Sequence, residues 1–376
     1  MREKSGKHWV LFLDLDAFFA EVEILRSPSL RNEPVIVAVG HPGGRGVVST
    51  ASYPARGFGI RSGMPLRRAI ALCPQAVILP ARHRLYSAYS EKVRRLLRDR
   101  FGKVEALSID EACAELPEDA DPEKVAHSVQ DQVARDLGLS CTVAVATNKL
   151  VAKVACDTVK PHGKIVIPDG EEAAFLAPLS VEKLPGVGPK ARAHLFEMGI
   201  RTIRELATQP RERLLREFGK PGAHLWEAAH GIDTTPVQPE WEPKSISRET
   251  TFERDVADFN LFRNVLDQFG HEVAEELRRD RFLAKTVAVK LRYDNFETLS
   301  RQMTLPIATM DPTEIAECAV RLLRSTWRPK RPLRLVGLAV HGLVHPWSKG
   351  ASDSGSLWDE ERGNSPEKIV KLPPKR

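Results

Sequence analysis

The sequence lacks the features of membrane-bound and secreted proteins. Among its 376 residues, no apolar run approaches the length of about 20 residues that a membrane-spanning helix needs. Residues 1–7 are largely charged or polar, and no apolar segment of the kind found in secretory signals follows them. We therefore expect a cytoplasmic protein.

Cysteine is also scarce, and its spacing excludes the common metal-binding and redox patterns. No two of the five cysteines form a Cys-x-x-Cys pair, and most stand among apolar neighbours. This arrangement predicts buried free thiols, at Cys73, Cys113, Cys141, Cys156 and Cys318.

The apolar content of the chain is ordinary, and positive charge is in excess. The length favours several domains rather than one small core. A net charge of +6 and a pI near 9.0 are compatible with a polyanionic partner, but only a local basic patch would identify one.

Residues 9–20 contain the most informative stretch near the N-terminus. An apolar run of strand length ends at Asp14 and Asp16, and such runs belong to strands that are buried on both faces. Two carboxylates at the end of a buried strand favour a site for a hard divalent cation. The alternative is that one of them caps the helix that begins at Ala17.

A second acidic pair, Asp110-Glu111, lies within an apolar segment that spans residues 104–116. The pattern predicts a hairpin, in which successive side chains point to opposite faces. Either a turn brings both carboxylates to one ion, or only one of them coordinates it. The alternative is an acidic turn without a ligand.

Between these motifs, strands and helices alternate without a strict strand-helix-strand repeat. This order favours an α+β fold with helices on one face of a sheet. Strands are predicted at 35–39, 47–50, 141–146 and 165–167, and helices at 17–25, 86–101, 122–137 and 147–155.

Thr50, Tyr53 and Arg56 follow a predicted strand at spacings that place them on one side of a turn or short helix. Hydroxyls and a guanidinium suit a triphosphate, because arginine donates two parallel hydrogen bonds to phosphate oxygens. Lys160, in the turn at 160–164, is a further candidate. A solvated helix start is the alternative for this segment.

Residues 184–200 have the form of a helix-hairpin-helix, with a Pro-Gly-Val-Gly turn that leads into a helix. Amides of such a turn bind DNA phosphates without reading bases, which here selects Gly186, Val187, Gly188 and Lys190. A looser version follows at 218–226. The proline-rich stretch 234–244 predicts a domain boundary.

The last folded unit alternates helices at 261–279 and 312–325 with strands at 286–293 and 333–340. Lys290 and Arg292 alternate with apolar residues, so the pattern places the cations on one face of a sheet, either to bind DNA or simply to be solvated. Residues from 348 onward are polar and rich in proline and charge, which is typical of disorder.

Taken in order, these motifs resemble those of the Y-family translesion DNA polymerases, most closely the bacterial polymerase IV branch. The match extends over nearly the whole chain and includes residues 13–20, 51–56, 108–112 and 160–163 and the helix-hairpin-helix. The resemblance implies a right-hand architecture. Its domains would be a palm (1–20 and 75–170), fingers (21–74), a thumb (171–236), a linker (237–243), an α/β little finger (244–345) and a tail (346–376).

The resemblance also implies a site for two Mg²⁺ ions, for which Mn²⁺ can substitute. Asp14, Asp110 and Glu111 would hold them, with the backbone carbonyl of Leu15 as a further ligand. Asp16 has no such role in the family and is expected to cap the following helix.

For the nucleotide, the resemblance makes Phe19 the steric gate beneath the sugar, with core packing as the alternative. Thr50, Tyr53, Arg56 and Lys160 become the triphosphate contacts. Small side chains at Val39, Val47, Ser49 and Gly63 would cover the base pair and leave room for damaged bases, at a cost in fidelity.

The expected partners are primer-template DNA, deoxynucleotides and, through Leu357 and Trp358 in the tail, the sliding clamp. The resemblance implies a low-fidelity polymerase that acts as a monomer and has no proofreading exonuclease. The alternatives are a catalytically silent relative and a DNA-binding scaffold in a repair complex.

Overall fold

A computed structural model describes residues 8–240 and 242–346 of the chain. The chain divides into two compact units, residues 1–241 and 242–376, and the division falls within the predicted linker at 237–243. Within the described ranges, no helix is long and apolar enough to cross a membrane. All five cysteines are buried and unpaired, as predicted.

The first unit contains eight strands and eleven helices among its described residues. The strands are β1 (Val10–Leu15), β2 (Val35–Val39), β3 (Val47–Ala51), β4 (Val77–Pro80), β5 (Val104–Ala106), β6 (Glu111–Glu115), β7 (Cys141–Ala146) and β8 (Lys164–Val166). The helices are α1 (Phe18–Arg26), α2 (Tyr53–Gly57), α3 (Leu66–Leu72), α4 (His83–Phe101), α5 (Pro122–Leu137), α6 (Lys149–Thr158), α7 (Glu172–Leu176), α8 (Pro189–Glu197), α9 (Ile203–Ala207), α10 (Arg211–Phe218) and α11 (Lys220–Ala229).

A five-stranded sheet in the order β5-β6-β1-β7-β8 forms the centre of this unit. Because β1 is apolar at every position before Asp14, alternate residues supply two separate cores. Leu11 and Leu13 pack with residues of α4 and α5 on one face. Val10 and Phe12 pack with α6 on the other face. The α+β class is confirmed, but the prediction that helices cover only one face is wrong.

A smaller sheet in the order β3-β2-β4 contributes to a third core that includes Ile36, Val48 and Leu66. β2 and β3 form the predicted antiparallel hairpin, and β4 pairs with β2 in parallel. The predicted boundary after residue 74 therefore separates β4 from the sheet to which it belongs.

The second unit is a four-stranded antiparallel sheet in the order β11-β10-β12-β9, with two helices that share its core. Its elements are β9 (Ser245–Val256), α12 (Phe259–Arg279), β10 (Leu283–Tyr293), β11 (Thr298–Thr309), α13 (Pro312–Thr326) and β12 (Leu333–Val344). Both helices and two of the strands match predicted segments, whereas β9, which is mostly polar, and β11, which is largely exposed, were not predicted.

Candidate active site

The two acidic motifs meet where β1 ends. Asp14 lies opposite Glu111 in the antiparallel pair of β1 and β6. One residue further along, the Leu15 amide donates a hydrogen bond of 3.0 Å to the Asp110 carbonyl. The strand register alone therefore brings together carboxylates that are almost 100 positions apart in the sequence.

A cavity of about 380 Å³ lies beside this strand end. It brings together the acidic residues and the predicted phosphate contacts from both sheets of the unit. Its lining consists of Asp14, Leu15, Asp16, Ala17, Phe18, Thr50, Tyr53, Arg56, Ser108, Asp110, Glu111 and Lys160.

Ser108 shapes the turn that precedes β6. Its hydroxyl donates to the Asp110 carboxylate at 2.5 Å and accepts the amides of Asp110 at 3.3 Å and Glu111 at 3.0 Å. The Arg94 guanidinium in turn holds the Ser108 carbonyl at 2.8 Å. The turn ends at Asp110 and the strand begins at Glu111, so both carboxylates line the same cavity.

Lysines neutralise two of the three carboxylates. Lys160 forms a close ion pair with Asp14 and lies 3.4 Å from Asp157, and Lys153 lies 2.6 Å from Glu111. Burial raises the pKa of Asp14 to about 7, against the opposing effect of Lys160, and the charges of Asp110 and Glu111 add to the increase. The cavity thus has a negative charge that burial makes costly and that cations offset.

Within residues 8–240 and 242–346, no three acidic, histidine or cysteine side chains converge as a ready metal-binding group. The donors at the cavity nevertheless suit a hard divalent cation, because they are carboxylate and backbone carbonyl oxygens that line one space. Such a cation would take over the neutralisation that Lys153 and Lys160 now provide.

Asp16 does not cap α1, contrary to the prediction. The cap position is Ala17, in a left-handed conformation with φ 42°, and no side chain caps the helix. Asp16 is instead 2% exposed and accepts hydrogen bonds from the hydroxyls of Ser140 at 2.7 Å and Thr142 at 2.8 Å. These bonds make it a buried link between β1 and β7.

α2 presents two of the predicted phosphate contacts, Tyr53 and Arg56, to the cavity. Ser52, fully buried, caps the helix by accepting the Ala55 amide at 3.5 Å. The Arg56 guanidinium bonds to the Ala51 carbonyl at 3.0 Å and lies 4.8 Å from the centre of the Tyr53 ring. Burial, with a contribution from Asp16, raises the pKa of Tyr53 to about 12, so its hydroxyl is a neutral donor at neutral pH.

Phe18 and Phe19 have different surroundings. Phe18 is buried in the core and touches the cavity, whereas Phe19 is half-buried and does not line it. The Phe19 ring stacks on Tyr86, with ring centres 4.2 Å apart and planes 13° apart. Phe18 is therefore the core residue, whereas the Phe19 ring stays partly exposed and stacks on Tyr86.

The Tyr86 ring behind Phe19 is held by the buried carboxylate of Glu23. Glu23, 3% exposed, accepts the Tyr86 hydroxyl at 2.7 Å and the Arg82 Nε–H at 2.8 Å. Because the carboxylate holds the hydroxyl of the ring on which Phe19 stacks, it fixes the surface on which Phe19 rests.

The helix-hairpin-helix turn leads into α8 as predicted, but its amides are not bare. The Val187 amide donates to the Leu184 carbonyl at 3.1 Å, and the Gly188 amide to the Gly186 carbonyl at 3.2 Å. Gly186 has φ 90°, which favours glycine. Among the described residues no side chain caps α8, and the Arg192 amide already donates to the Gly188 carbonyl at 2.9 Å, so the amides of Lys190 and Ala191 are the available donors of its first turn.

In the second unit, Val289 and Leu291 are buried while Lys290 and Arg292 point to the opposite face of the sheet, as predicted. Lys290 pairs with Glu249 on β9 at 2.8 Å, and the Arg292 Nε–H donates to the Thr298 hydroxyl at 2.9 Å. Leu357 and Trp358 lie outside the described residues.

Sequence reasoning missed several residues that shape the site. Ser108 lies two residues before Asp110, so its proximity in the sequence was a usable signal, whereas Lys153 reaches Glu111 only through the packing of α6 on the sheet. Tyr86 and Glu23 had no such signal, because Tyr86 meets Phe19 and Glu23 only through the packing of α4 on α1.

Three family models match the chain: the impB/mucB/samB family at residues 13–157, the C-terminal domain of that family at 243–356, and the thumb domain of DNA polymerase-iota at 182–233. Among curated proteins, DNA polymerase IV of Methanoculleus marisnigri is 40% identical over 353 residues, which cover 93% of this chain and 98% of that protein. DNA polymerase IV of Dehalococcoides mccartyi is 40% identical over 342 residues, 90% of this chain and 87% of that protein.

Solved structures agree with these relatives. A chimeric Y-family DNA polymerase is 27% identical, with a TM-score of 0.81 over 90% of this chain and 99% of that one. An insertion ternary complex of Dbh DNA polymerase, at 26% identity, has a TM-score of 0.65 over the same shares. DinB from Sulfolobus solfataricus, at 27% identity, has a TM-score of 0.63, again over 90% and 99%.

The hydrogen bond that supports the Phe19 platform can be tested by removing one oxygen atom. Tyr86→Phe leaves the buried Glu23 carboxylate without one donor, so we expect the free energy of unfolding to fall by about 1.5–3 kcal/mol. Tyr89→Phe, on the same helix and half-buried, is the matched control, with an expected change within about 0.5 kcal/mol. Urea denaturation measures both, and equal effects would contradict the assigned role of the hydroxyl.

Proposed function

The chain belongs to the impB/mucB/samB family, the Y-family DNA polymerases, and we propose that the cavity at the end of β1 is its catalytic site. The protein is a DNA-directed DNA polymerase that carries out translesion synthesis. The observation that carries the proposal is that Asp14, Asp110 and Glu111 line the same cavity as the predicted phosphate contacts. No observation favours a catalytically silent relative or a DNA-binding scaffold.

The activity is metal-dependent, and we assign the ion as Mg²⁺, with Mn²⁺ as a substitute. Asp14, Asp110, Glu111 and the carbonyl of Leu15 would hold it, since hard oxygen donors are what Mg²⁺ prefers. Two such ions, when bound, lower the pKa of the primer 3′-hydroxyl and neutralise the triphosphate and the departing pyrophosphate.

The other residues of the cavity bind and orient the nucleotide. Arg56 and Lys160 supply cationic donors for phosphate oxygens, and Tyr53 and Thr50 supply hydroxyls. Lys160 now pairs with Asp14, and a phosphate could replace that carboxylate as its partner, because both are anionic oxygen acceptors. The stacked ring of Phe19 acts as the steric gate for the sugar.

The fingers leave the nascent base pair loosely covered. Val39 and Val47, at the ends of β2 and β3, are 52% and 42% exposed and carry short side chains, and Ser49 and Gly63 are smaller still. A tight pocket rejects misfit pairs, so an open cover of this kind accommodates damaged bases and lowers fidelity.

We assign DNA contacts to two places. In the thumb, Gly186, Val187, Gly188 and Lys190 form the entry to α8, where the first-turn amides and the Lys190 charge meet backbone phosphates. In the second unit, Lys290 and Arg292 lie on the face of the sheet opposite the helices and add charge without base specificity.

The proposed domains follow the sequence-based map, with one change. The palm is 1–20 and 81–170, and the fingers are 21–80, because β4 pairs with β2. The thumb is 171–236 and the little finger is 244–345. We further propose that the enzyme works as a cytoplasmic monomer and that Leu357 and Trp358 bind the sliding clamp.

Primer extension tests the catalytic site. Asp110→Asn removes a negative charge from the metal-binding set, so we expect the extension rate with Mg²⁺ to fall by about 10³-fold or more. Asp119→Asn makes the same change at an exposed position of the same unit and should leave the rate unaltered. Equal extension by Asp110→Asn and the wild type would overturn the proposal.

The gate is tested by sugar discrimination. Phe19→Ala removes the ring that the 2′-hydroxyl of a ribonucleotide would strike, so the preference for deoxynucleotides in kcat/KM should fall by about 10- to 100-fold. Each enzyme's own deoxynucleotide kinetics serve as the reference. An unchanged preference would remove this role from Phe19.

The salt dependence of DNA binding tests the second unit. Replacing both Lys290 and Arg292 with alanine should reduce the slope of log K against log salt by about 0.9 for each DNA phosphate that is no longer neutralised. Arg278→Ala, on the exposed side of α12, is the control, because α12 covers the other face of the sheet. If Arg278→Ala reduces the slope by as much as the double replacement does for each charge removed, the assigned face is wrong.

A further inference from the structure

Lys160 lies in a short turn, residues 160–163, that two buried polar side chains hold from different elements. Asp16, on the chain between β1 and α1, accepts the His162 amide at 3.0 Å. Gln130, on α5 and 1% exposed, donates from Nε2 to the carbonyls of His162 at 3.1 Å and Gly163 at 3.2 Å. Asp16 therefore binds an amide of the turn, and Gln130 binds two of its carbonyls.

The backbone of this turn leaves little room for movement. A Cβ at Gly163 would lie 2.0 Å from the Val159 carbonyl oxygen, so this position admits only glycine without displacement of the chain. Gln130 also donates to the Cys141 carbonyl at 2.8 Å, which links the turn to β7. Both sides of the turn are thus fixed to the central sheet.

Gln130 makes these bonds at a cost. Among the described residues, its buried Oε1 has no hydrogen-bond partner, and an unpaired buried acceptor is unfavourable. The opposite orientation of the amide would place Oε1 against three carbonyl oxygens. The carbonyls of Cys141, His162 and Gly163 therefore determine that Nε2 of Gln130, and not Oε1, faces them.

Asp16 reaches the second phosphate-binding element as well. The Tyr53 hydroxyl on α2 lies 3.5 Å from Asp16 Oδ1, the oxygen that also accepts Thr142 at 2.8 Å. The other oxygen, Oδ2, accepts Ser140 at 2.7 Å along with the His162 amide. A single carboxylate, two residues after Asp14, thus contacts the turn of Lys160 and the helix of Tyr53.

We propose that Asp16 and Gln130 are positioning residues that fix Lys160 and Tyr53 relative to Asp14 and so determine how tightly the enzyme binds the nucleotide triphosphate. This proposal rests on the proposed role of Lys160 as a triphosphate contact. Asp16 acts by accepting hydrogen bonds. Asparagine can keep the His162 and Ser140 bonds through its oxygen and donate to the oxygens of Thr142 and Tyr53, whereas alanine removes this acceptor from all four donors.

A double-mutant cycle on a primer-template tests the proposal, with kcat and KM for the deoxynucleotide measured for Asp16→Ala, Lys160→Ala and the double variant. We expect Asp16→Ala to raise KM by about tenfold in the wild-type background and by less than about threefold in the Lys160→Ala background, because coupled residues are not additive. Asp16→Asn should stay within about threefold of the wild type, and Gln130→Met should behave as Asp16→Ala does.

The outcomes separate the two proposals. If Lys160→Ala leaves KM unchanged, the proposed phosphate contact fails. If Lys160→Ala raises KM but Asp16→Ala and Gln130→Met have the same effect in both backgrounds, the contact stands and positioning is refuted, because a general loss of stability predicts additivity. If Asp16→Ala does not fold, Asp16→Asn and Gln130→Met decide the matter, and an impaired Asp16→Asn with an uncoupled Gln130→Met overturns the proposal.

Discussion

The structure depends on the burial of negative charge at the end of a central strand. β1 is apolar at every position up to Asp14, so it fits only in the middle of a sheet whose two faces are both covered. Its carboxylates are thereby removed from water, and charge in that setting persists only with compensation. Lys160 and Lys153 supply part of it, and Ser140 and Thr142 satisfy Asp16.

This constraint explains why separate elements converge on one place. The strand register sets Glu111 opposite Asp14, the turn around Ser108 directs Asp110 to the same cavity, and α6 brings Lys153 over Glu111. Lys160, which pairs with Asp14, lines the cavity together with Arg56 and the carboxylates. Cationic donors of this kind suit phosphate oxygens, so one cavity presents acceptors for a cation and donors for an anion.

Much of this could be predicted from sequence because the motifs are local. The acidic pairs, the α2 contacts and the glycine turn before α8 each occupy a few consecutive residues, and the cavity gathers all the predicted catalytic and triphosphate-contacting residues except Phe19. The errors concern what a local pattern cannot contain. Asp16 has the spacing of a helix cap, but its partners are Ser140 and Thr142, over 120 residues away. Helices on both faces of the sheet and the hydrogen bonds of Gln130 to the turn at 160–163 depend on tertiary packing, whereas the bonds of the Val187 and Gly188 amides close within three residues and depend on the backbone conformation of their own turn.

The central claim is that Asp14, Asp110 and Glu111 form a divalent cation site, and its most direct test needs no catalysis. Thermal unfolding of the wild type and of Asp14→Asn would be followed with increasing Mg²⁺ in the presence of deoxynucleotide, with Asp119→Asn as the control. A ligand at 100 times its Kd stabilises the folded state by about 2.7 kcal/mol. We predict a rise in Tm with Mg²⁺ for the wild type and the control but not for Asp14→Asn. An equal rise in all three proteins, or none in the wild type, would contradict the account.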